Sequence, residues 1–427
     1  MGVQGFVKRE GSRLLLDGKP FRFAGPNIYW LGLDENVNGI GWPTPFRVRD
    51  ALDTAVEMGA TVVRSHTLGA SCGHPQSVQP SLGEFNEEAL RRIDFAMHEA
   101  GERGLRLVVP LVCNWNYYHG GRLTFARWRG YDDAGAFYSA PEVVADFKRH
   151  VDAIVGRVNT ISGVRYSEDP AIMAWELGNE LNDAPVAWVS ELADYIKSLA
   201  PRQLVAHGKQ FKLDAGALAV DSLDLLDVHY YPADAGEMAA DAATVAAAGK
   251  TYMCGEYGWP DCDLEAFVRG AEAGESVTGT LFWSLFGHDD ACGYVQHFDG
   301  FTVHYPGTAV GEEAERRIGL LRAHAYRMSG RAVPPPGVPP APVIDGADAG
   351  RILFRGVPGG ARYTLEKSTA GAAGPWTVVY DRRRAPLAGP WVDPTRAQVA
   401  RTWYRLKALN QAGAESGYSA VRVSEPF

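Results

Sequence analysis

Eight short strand-like runs alternate with amphipathic helical stretches between residues 21 and 284, and no other feature of the sequence constrains the fold as strongly. Strands that alternate with helices form βα units, and βα units assemble into a parallel sheet. The runs are Phe21–Asn27, Thr61–His66, Leu105–Leu111, Ile172–Glu176, Leu204–Ala206, Leu225–His229, Thr251–Gly255 and Gly279–Ser284. Eight strands suit closure into a (β/α)8 TIM barrel, an α/β fold that takes roughly 250 residues or more.

The segments around these runs support the same fold. Phe46–Met58 repeats apolar residues with the helix period, and Asn86–Arg103 leads directly into the third run. Gly5–Leu16 precedes the first run and continues into the turn-forming sequence Asp-Gly-Lys-Pro. This segment predicts a β-hairpin that closes the floor of the barrel.

The sharpest break in composition is the proline-rich segment 333–342, which can only be extended and semi-rigid. Short alternating apolar segments separated by Gly, Pro and Asp turns follow it, and they predict a small all-β sandwich. They are Arg351–Phe354, Tyr363–Lys367, Trp376–Tyr380, Trp403–Ala408 and Ala420–Val423. We therefore predict a barrel domain over residues 1–332, a linker over 333–342 and a β-sandwich over 343–427. The stretch 404–410, with Gly413 and Ser416 after it, resembles the end of a fibronectin type III domain.

Charge and hydropathy exclude several kinds of partner. The net charge is −9 and no cluster of Lys or Arg forms a stripe, so a nucleic acid would be repelled. The sequence contains no run of 18 apolar residues that could span a membrane, and the first six residues lack the pattern of a signal peptide. Five cysteines without a C-x-x-C pair suit reduced thiols. These features predict a cytoplasmic protein, or a secreted one if a leader has been trimmed; they give no indication of oligomeric state.

Two glutamates stand where predicted barrel strands end. The fourth strand ends in Trp-Glu-Leu-Gly-Asn-Glu at 175–180, and the seventh ends in Met-Cys-Gly-Glu-Tyr-Gly-Trp at 253–259. The active sites of barrel enzymes lie at these carboxyl ends, so Glu180 and Glu256 are expected to converge. A pair of carboxylates suits glycoside hydrolysis, in which one protonates the leaving oxygen and the other attacks or activates water. Two glutamates in ordinary loops would give the same pattern.

Six matches in the same order along the strands resemble glycoside hydrolase family 5 of clan A. They are Asn179-Glu180, Gly255-Glu256, His229 with Tyr231, Arg64 and Trp283. The resemblance covers nearly all of residues 5–330. It implies a retaining β-glycosidase in which Glu180 is the general acid/base and Glu256 is the nucleophile.

The same resemblance implies roles for the surrounding residues. Asn179 would hold the 2-hydroxyl of the sugar, and Trp283 would form the floor beneath it. Tyr231 would donate a hydrogen bond to the nucleophile, and His229 would bridge towards the acid/base. Arg64 would keep the nucleophile ionised through its fixed positive charge.

The third strand distinguishes branches of this family. Its continuation, Cys-Asn-Trp-Asn-Tyr-Tyr at 113–118, is similar to that of β-mannanases and lacks the histidine of cellulase-like members. The resemblance therefore adds Asn114 as a substrate contact and Trp30 and Trp115 as sugar platforms. It implies an oligosaccharide or polysaccharide with β-mannosidic bonds as substrate. Long insertions after the second and third strands could close one end of a cleft, which favours an exo-β-mannosidase over an endo-mannanase.

Several alternatives stay open at this stage. An endo-β-1,4-mannanase, a diglycosidase or a transglycosylase would use the same residues, and a silent carbohydrate-binding barrel would have lost the chemistry. The G-x-S-x-G match at 69–73 lacks the following helix that a nucleophile elbow needs, since His74-Pro75 comes next. No phosphate loop or dinucleotide fingerprint is present, so no cofactor is expected. The proposed chemistry needs no metal either.

Overall fold

The structure is a computed structural model that describes residues 2–395 and 401–425. The chain divides into two compact units. The first unit comprises Met1–Pro43, Gly59–Ser284 and His324–Arg331. The second comprises Thr44–Met58, Leu285–Ala323 and Ala332–Phe427. The domain boundaries predicted from the sequence stay a prediction, and residues 396–400 and 426–427 of the predicted sandwich lie outside the described residues.

Antiparallel strands open the first unit. Strands β1 (Lys8–Glu10), β2 (Arg13–Leu16) and β3 (Lys19–Pro20) form a small sheet in the order β1-β2-β3. Val7 and Leu14 of this segment pack in one apolar cluster with residues of the barrel strands, among them Phe23 and Val62. This is the hairpin predicted for the floor of the barrel.

Eight parallel strands follow in the described chain and form a single sheet. They are β4 (Phe23–Pro26), β5 (Val62–Arg64), β6 (Arg106–Pro110), β7 (Ile172–Glu176), β8 (Leu204–Gln210), β9 (Leu225–Tyr230), β10 (Thr251–Gly258) and β11 (Val277–Trp283). Their order is β4-β11-β10-β9-β8-β7-β6-β5, and a bridge between Asn27 and Arg64 joins the two ends. The backbone N–H of Ile28 donates to the carbonyl of Arg64 at 2.9 Å across this seam. The predicted (β/α)8 fold is confirmed, and all eight predicted strands overlap observed ones.

Helices connect the strands along the chain, and several of them begin at a capping side chain. Within the described residues they are α1 (Pro45–Glu57), α2 (Glu87–Glu102), α3 (Arg122–Trp128), α4 (Ala136–Ser139), α5 (Pro141–Val155), α6 (Val186–Leu199), α7 (Ala235–Ala247), α8 (Leu264–Ala273) and α9 (Glu312–Met328). Thr44 caps α1 and Asn86 caps α2, because each side chain accepts a backbone N–H of the first turn. Helix α1, predicted over 46–58, groups with the second unit.

The second unit contains two antiparallel sheets. Its strands are β12 (Val343–Gly346), β13 (Arg351–Arg355), β14 (Arg362–Ser368), β15 (Thr377–Arg384), β16 (Trp391–Val392), β17 (Thr402–Leu409) and β18 (Arg422–Ser424). The orders are β12-β13-β16 and β15-β14-β17-β18, around a core that includes Phe354, Tyr363 and Trp391. The Tyr404 hydroxyl donates to the carboxylate of Asp393 at 2.9 Å. The predicted all-β part is confirmed, and its fibronectin type III resemblance stays a prediction.

The predicted linker is held in place inside the second unit. Residues 332–342 carry no helix or strand, as expected of a proline-rich segment. The Arg322 guanidinium donates to the carbonyl of Pro334 at 2.9 Å. The side-chain amide of Asn410 donates to the carbonyls of Pro336 and Gly337, each at 2.9 Å. Hydrogen bonds therefore hold this segment in a fixed position within its unit.

None of the helices in the described residues has the length and apolar composition needed to cross a membrane. The cytoplasmic location predicted from the sequence stays a prediction.

Closure of the barrel requires a glycine on β4. A Cβ atom on Gly25 would lie 2.0 Å from the carbonyl oxygen of Val62 on β5. We expect Gly25→Ala to lower the free energy of unfolding by about 1–3 kcal/mol, because the backbones must separate at the seam. Urea denaturation of both proteins measures this difference.

Gly319→Ala is the matched control for this change. Gly319 lies inside α9 with open space around its Cβ position, so alanine should stabilise the helix by roughly 0.5–1 kcal/mol. Equal stability of Gly25→Ala and the parent protein would show that the seam does not depend on close approach of β4 and β5.

Candidate active site

The polar residues predicted for the site meet at the carboxyl ends of the barrel strands. Side chains in a strand alternate between two faces, so residues two apart share a face. Strand β9 carries Asp227-Val228-His229 just before its last residue, which places both polar side chains on the inner face. The ends of β5 and β10 add Arg64 and Glu256, and the segment after β7 adds Glu180. All five residues are buried.

The guanidinium of Arg64 is the centre of this cluster. Its Nε and Nη2 donate to the two carboxylate oxygens of Glu176 at 2.7 and 2.8 Å. Nη2 also donates to Oδ1 of Asn179 at 2.9 Å, and Nη1 donates to Oδ1 of Asn27 at 3.1 Å. Nη1 lies 2.6 Å from Oε1 of Glu256. Burial by itself would lower the pKa of Arg64, but the carboxylates of Glu176 and Glu256 raise it well above the usual value.

Glu256 is surrounded by donors. Oε1 accepts a hydrogen bond from the Arg64 guanidinium and lies 3.1 Å from Nε2 of His66. Oε2 accepts a hydrogen bond from the Tyr231 hydroxyl at 2.9 Å. Nδ1 of His229 lies 3.5 Å from Oε2. Burial alone would raise the pKa of Glu256, but His229, His66 and Arg64 hold it well below the usual value. The carboxylate is therefore ionised throughout the physiological range.

His229 lies between two carboxylates. Nδ1 is 2.9 Å from Oε1 of Glu180, and Nε2 is 3.1 Å from Oδ2 of Asp227. Burial would lower the pKa of His229, but Glu256 and Asp227 raise it well above the usual value. Because each ring nitrogen faces a carboxylate, the ring is held as an imidazolium that donates on both sides.

Glu180 approaches Glu256 from the loop after β7. Its backbone has a φ of 54°, in the left-handed region that a glutamate rarely adopts. Oε1 faces His229, and Oε2 accepts the indole N–H of Trp115. One oxygen from each carboxylate and one nitrogen of His229 lie within 4.8 Å of one another. The two carboxylates thus flank a common space.

Glu180, His229 and Glu256 also have the spacing of a metal site. A histidine ligand must be neutral, with a free lone pair on the ligating nitrogen. Both nitrogens of His229 instead face carboxylates that favour the protonated ring. The donor set therefore fits proton chemistry better than metal binding.

Aromatic rings line the same site. Tyr29 stacks on Trp283 with ring centroids 4.9 Å apart and an interplanar angle of 12°, and His66 lies 5.3 Å from Trp283. Trp115 is 37% exposed. Trp30, however, is 0% exposed, so the predicted role as an open sugar platform is corrected: its indole is part of the core.

Asn114 is half-buried next to Trp115, and its Oδ1 finds no hydrogen-bond partner in the described part of the chain. An unpaired buried acceptor costs free energy, so a donor from a bound molecule would satisfy it. The predicted substrate contact at Asn114 stays a prediction that this unpaired atom favours.

Sequence reasoning did not assign four residues that complete the cluster: Glu176, Asp227, His66 and Asn27. The first two carried a signal, since Glu176 ends a buried strand and Asp227 shares the inner face with His229. His66 lies in a 3-10 turn, His66–Leu68, where no periodicity predicts orientation. Asn27 follows β4 and donates to the carbonyl of Gly255 at 2.8 Å.

The contact between His66 and Glu256 predicts a measurable change in ionisation. His66→Leu removes the imidazole whose Nε2 lies 3.1 Å from Oε1 of Glu256 and keeps most of the bulk, so the pKa of Glu256 should rise. The carboxyl resonance of Glu256 in protein labelled with 13C-glutamate, assigned with Glu256→Gln, reports the midpoint. The variant should protonate at a higher pH than the parent protein.

His98→Leu is the control, because His98 lies on α2 away from the cluster. An unchanged midpoint in a folded His66→Leu protein would mean that His66 does not stabilise the carboxylate.

Comparisons with known proteins agree with this geometry. A family model described as GH family 5 beta-mannosidase-like matches residues 4–238, which is more than half of the chain. A putative mannan endo-1,4-beta-mannosidase 5 of Oryza sativa subsp. japonica is 35% identical over 224 residues, 49% of this chain and 44% of its own length. The mannan endo-1,4-beta-mannosidase 1 of the same plant is 28% identical over 395 residues, 77% of this chain and 87% of its own length.

Solved structures give the same assignment. The endo-1,4-beta-mannanase from Rhizomucor miehei has a TM-score of 0.64 and 25% identity, and the match covers 77% of this chain and 100% of that one. The chain spans only 44% and 58% of the length of two of the curated relatives that it matches. The matched model covers the strands that supply Arg64, Glu180 and His229, and the chain belongs to the β-mannosidase-like group of glycoside hydrolase family 5.

Proposed function

We propose that this protein is a retaining β-glycosidase that hydrolyses β-mannosidic bonds, with Glu180 as general acid/base and Glu256 as nucleophile. The observation that carries the proposal is the approach of oxygens from Glu180 and Glu256 to within 4.8 Å. Retaining glycosidases hold their two carboxyl groups about 5–5.5 Å apart, whereas inverting enzymes leave about 6.5–9.5 Å for a water molecule.

The surroundings of the two carboxylates support different roles. Glu256 accepts hydrogen bonds from Arg64 and Tyr231 and lies beside His66. These contacts keep its carboxylate ionised and oriented, as a nucleophile must be. Glu180 contacts an indole N–H and one side of an imidazolium. Both of these donors stabilise Glu180 as an anion after it has released its proton.

The reaction follows from these positions in two steps. Protonated Glu180 gives its proton to the glycosidic oxygen while an oxygen of Glu256 attacks the anomeric carbon, so the glycosidic C–O bond breaks and a glycosyl ester forms. Glu180, now a carboxylate, then takes a proton from water as that water attacks the same carbon and releases Glu256. Two inversions give net retention.

Arg64 and His229 are positioning residues in this scheme. The fixed charge of Arg64 orients Glu256 and Asn179, since its Nη1 and Nη2 bond one oxygen on each. The hydrogen bond from Nη2 to Oδ1 of Asn179 supports a role for Asn179 in holding the sugar 2-hydroxyl. It fixes the orientation of the amide, because the oxygen faces Arg64 and the NH2 group faces away from it. We assign Trp283 as the floor for the same sugar, and its stacking on Tyr29 supports this role by fixing the indole ring.

The relatives support mannan as the substrate and cleavage at internal bonds of the polysaccharide. The two curated relatives described above are named mannan endo-1,4-beta-mannosidases, and the Rhizomucor miehei protein is an endo-1,4-beta-mannanase. The exo preference predicted from the sequence finds no support in these names. We therefore favour endo action on β-1,4-mannan or its oligosaccharides.

Parallel assays of the wild-type protein test the substrate. Mannohexaose should be cut to internal fragments, with slower release from an aryl β-mannoside and little from an aryl β-glucoside. Initial rates and product lengths separate the outcomes. Stepwise release of mannose would instead establish exo action, and turnover of the glucoside alone would contradict the mannan assignment.

Substitution of each carboxylate tests the roles. Glu256→Ala should lower kcat by at least about 10³-fold because no ester can form, and azide should restore turnover with an inverted glycosyl azide. Glu180→Ala should lower kcat about 10²–10⁴-fold on poor leaving groups, and azide should give the retained product.

Glu84→Ala, at an exposed glutamate in the same unit, is the matched control and should leave kcat unchanged. A Glu256→Ala protein with wild-type turnover would overturn the nucleophile assignment. A wild-type protein that binds mannohexaose without cutting it would favour the carbohydrate-binding barrel.

A further inference from the structure

We propose that Phe211 and Gln210, at the end of β8, form the binding subsite for the sugar on the leaving-group side of the scissile bond. The proposal rests on the function proposed above, since it needs Glu180 to be the acid. No residue of this segment was assigned a role from the sequence.

Phe211 combines exposure with an unfavourable backbone. Its side chain is 55% exposed, and its φ is 61°. A bulky side chain in the left-handed region destabilises the backbone, because its Cβ atom crowds the neighbouring carbonyl oxygen. Such conformations occur often at functional sites, and an aromatic ring that is exposed to solvent at such a position points to a ligand.

The position of Phe211 beside the acid/base is fixed by backbone hydrogen bonds. Its N–H donates to the carbonyl of His229 at 2.9 Å, and the imidazole of that same residue lies 2.9 Å from Glu180. The N–H of Gln210 donates to Oδ1 of Asn182 at 2.9 Å, and Asn182 is held to the carbonyl of Glu180 at 2.7 Å. The loops that carry Glu180 and Phe211 are thus tied together.

Gln210 supplies a polar group at the same place. Leu204 and Ala206 pack in the core of the barrel, so Gln210 continues the inner face of β8. It is half-buried, and its side-chain amide makes no hydrogen bond within residues 2–395 and 401–425. An amide offers both a donor and an acceptor, which suits the hydroxyl groups of a sugar.

The chemistry decides which sugar these residues meet. A general acid protonates the glycosidic oxygen from the side of the departing sugar, so that sugar lies towards Glu180. The apolar C–H face of a β-linked hexose can rest on an aromatic ring, which presents apolar area at low entropic cost. The subsite therefore takes a hexose of the leaving chain, and also the acceptor in the reverse direction.

Phe211→Ala tests the subsite with two substrates. The variant should lower kcat/KM for mannohexaose roughly three- to tenfold, which is the range for loss of one aromatic contact. For β-mannobiosyl fluoride, whose leaving group is a fluoride ion, kcat/KM should stay within twofold of wild type, because no sugar leaves. Transfer to added mannose as acceptor should fall together with mannohexaose cleavage, and Phe211→Trp should retain both.

Two further variants separate binding from structure. Phe211→Gly should melt at a higher temperature than Phe211→Ala, because glycine accepts the left-handed conformation, yet should be as poor on mannohexaose. Ile161→Ala is the matched control, since Ile161 is 50% exposed and lies in the connection that enters β7, at the opposite end of the barrel.

The outcomes are distinct. Equal loss on mannohexaose and the fluoride, or no loss on either, would overturn the subsite while leaving the proposed function intact. Failure of the proposed function is recognised separately, because the wild-type protein would then turn over neither substrate.

Discussion

The site depends on one buried cation. Arg64 is fully buried and its guanidinium is paired on every side, with both oxygens of Glu176, one oxygen of Glu256 and the amide oxygens of Asn27 and Asn179. A charge in such a place is tolerated only when it is paired and hydrogen-bonded. Each carboxylate that compensates Arg64 is in turn fixed in position by it. The hydrogen bonds of this buried charge thus hold side chains from separate strand ends in one arrangement. As a consequence, the carboxylate of Glu256 is ionised and fixed in orientation.

The barrel backbone supplies the precision of this arrangement. Asp227, which holds one side of His229, also accepts the backbone N–H of Gly255, the residue before Glu256. A Cβ atom on Gly255 would lie 2.0 Å from Oδ2 of Asp227, and one on Gly208 would lie 2.6 Å from the Cβ of Asp227. Neighbouring strands can therefore approach only because glycines face the aspartate. The residues that allow the strands to pack closely are therefore the same residues that position the polar groups of the site.

Two residues at the rim of the site have left-handed backbone conformations that non-glycine residues rarely adopt. Glu180 and Phe211 both have a positive φ, and hydrogen bonds through Asn182 and His229 tie their two loops together. Unfavourable backbone conformations persist where the surrounding structure fixes them, and they occur often at functional sites. Here a pair of adjacent loops presents the carboxylate of Glu180 on one side and the exposed ring of Phe211 on the other.

The sequence by itself determined the barrel and its two glutamates. Strand runs such as Ile172–Glu176 and the helical patterns between them carry a periodic signal, and parallel strands must bring their carboxyl ends to one face. Tertiary structure alone decided that Trp30 is core, that Tyr29 stacks on Trp283, that His66 meets Glu256 and that Phe211 lies exposed beside Glu180. These features depend on burial and on backbone dihedral angles outside regular strands. Such properties are set by contacts between residues far apart in the chain, and they leave no period in the sequence.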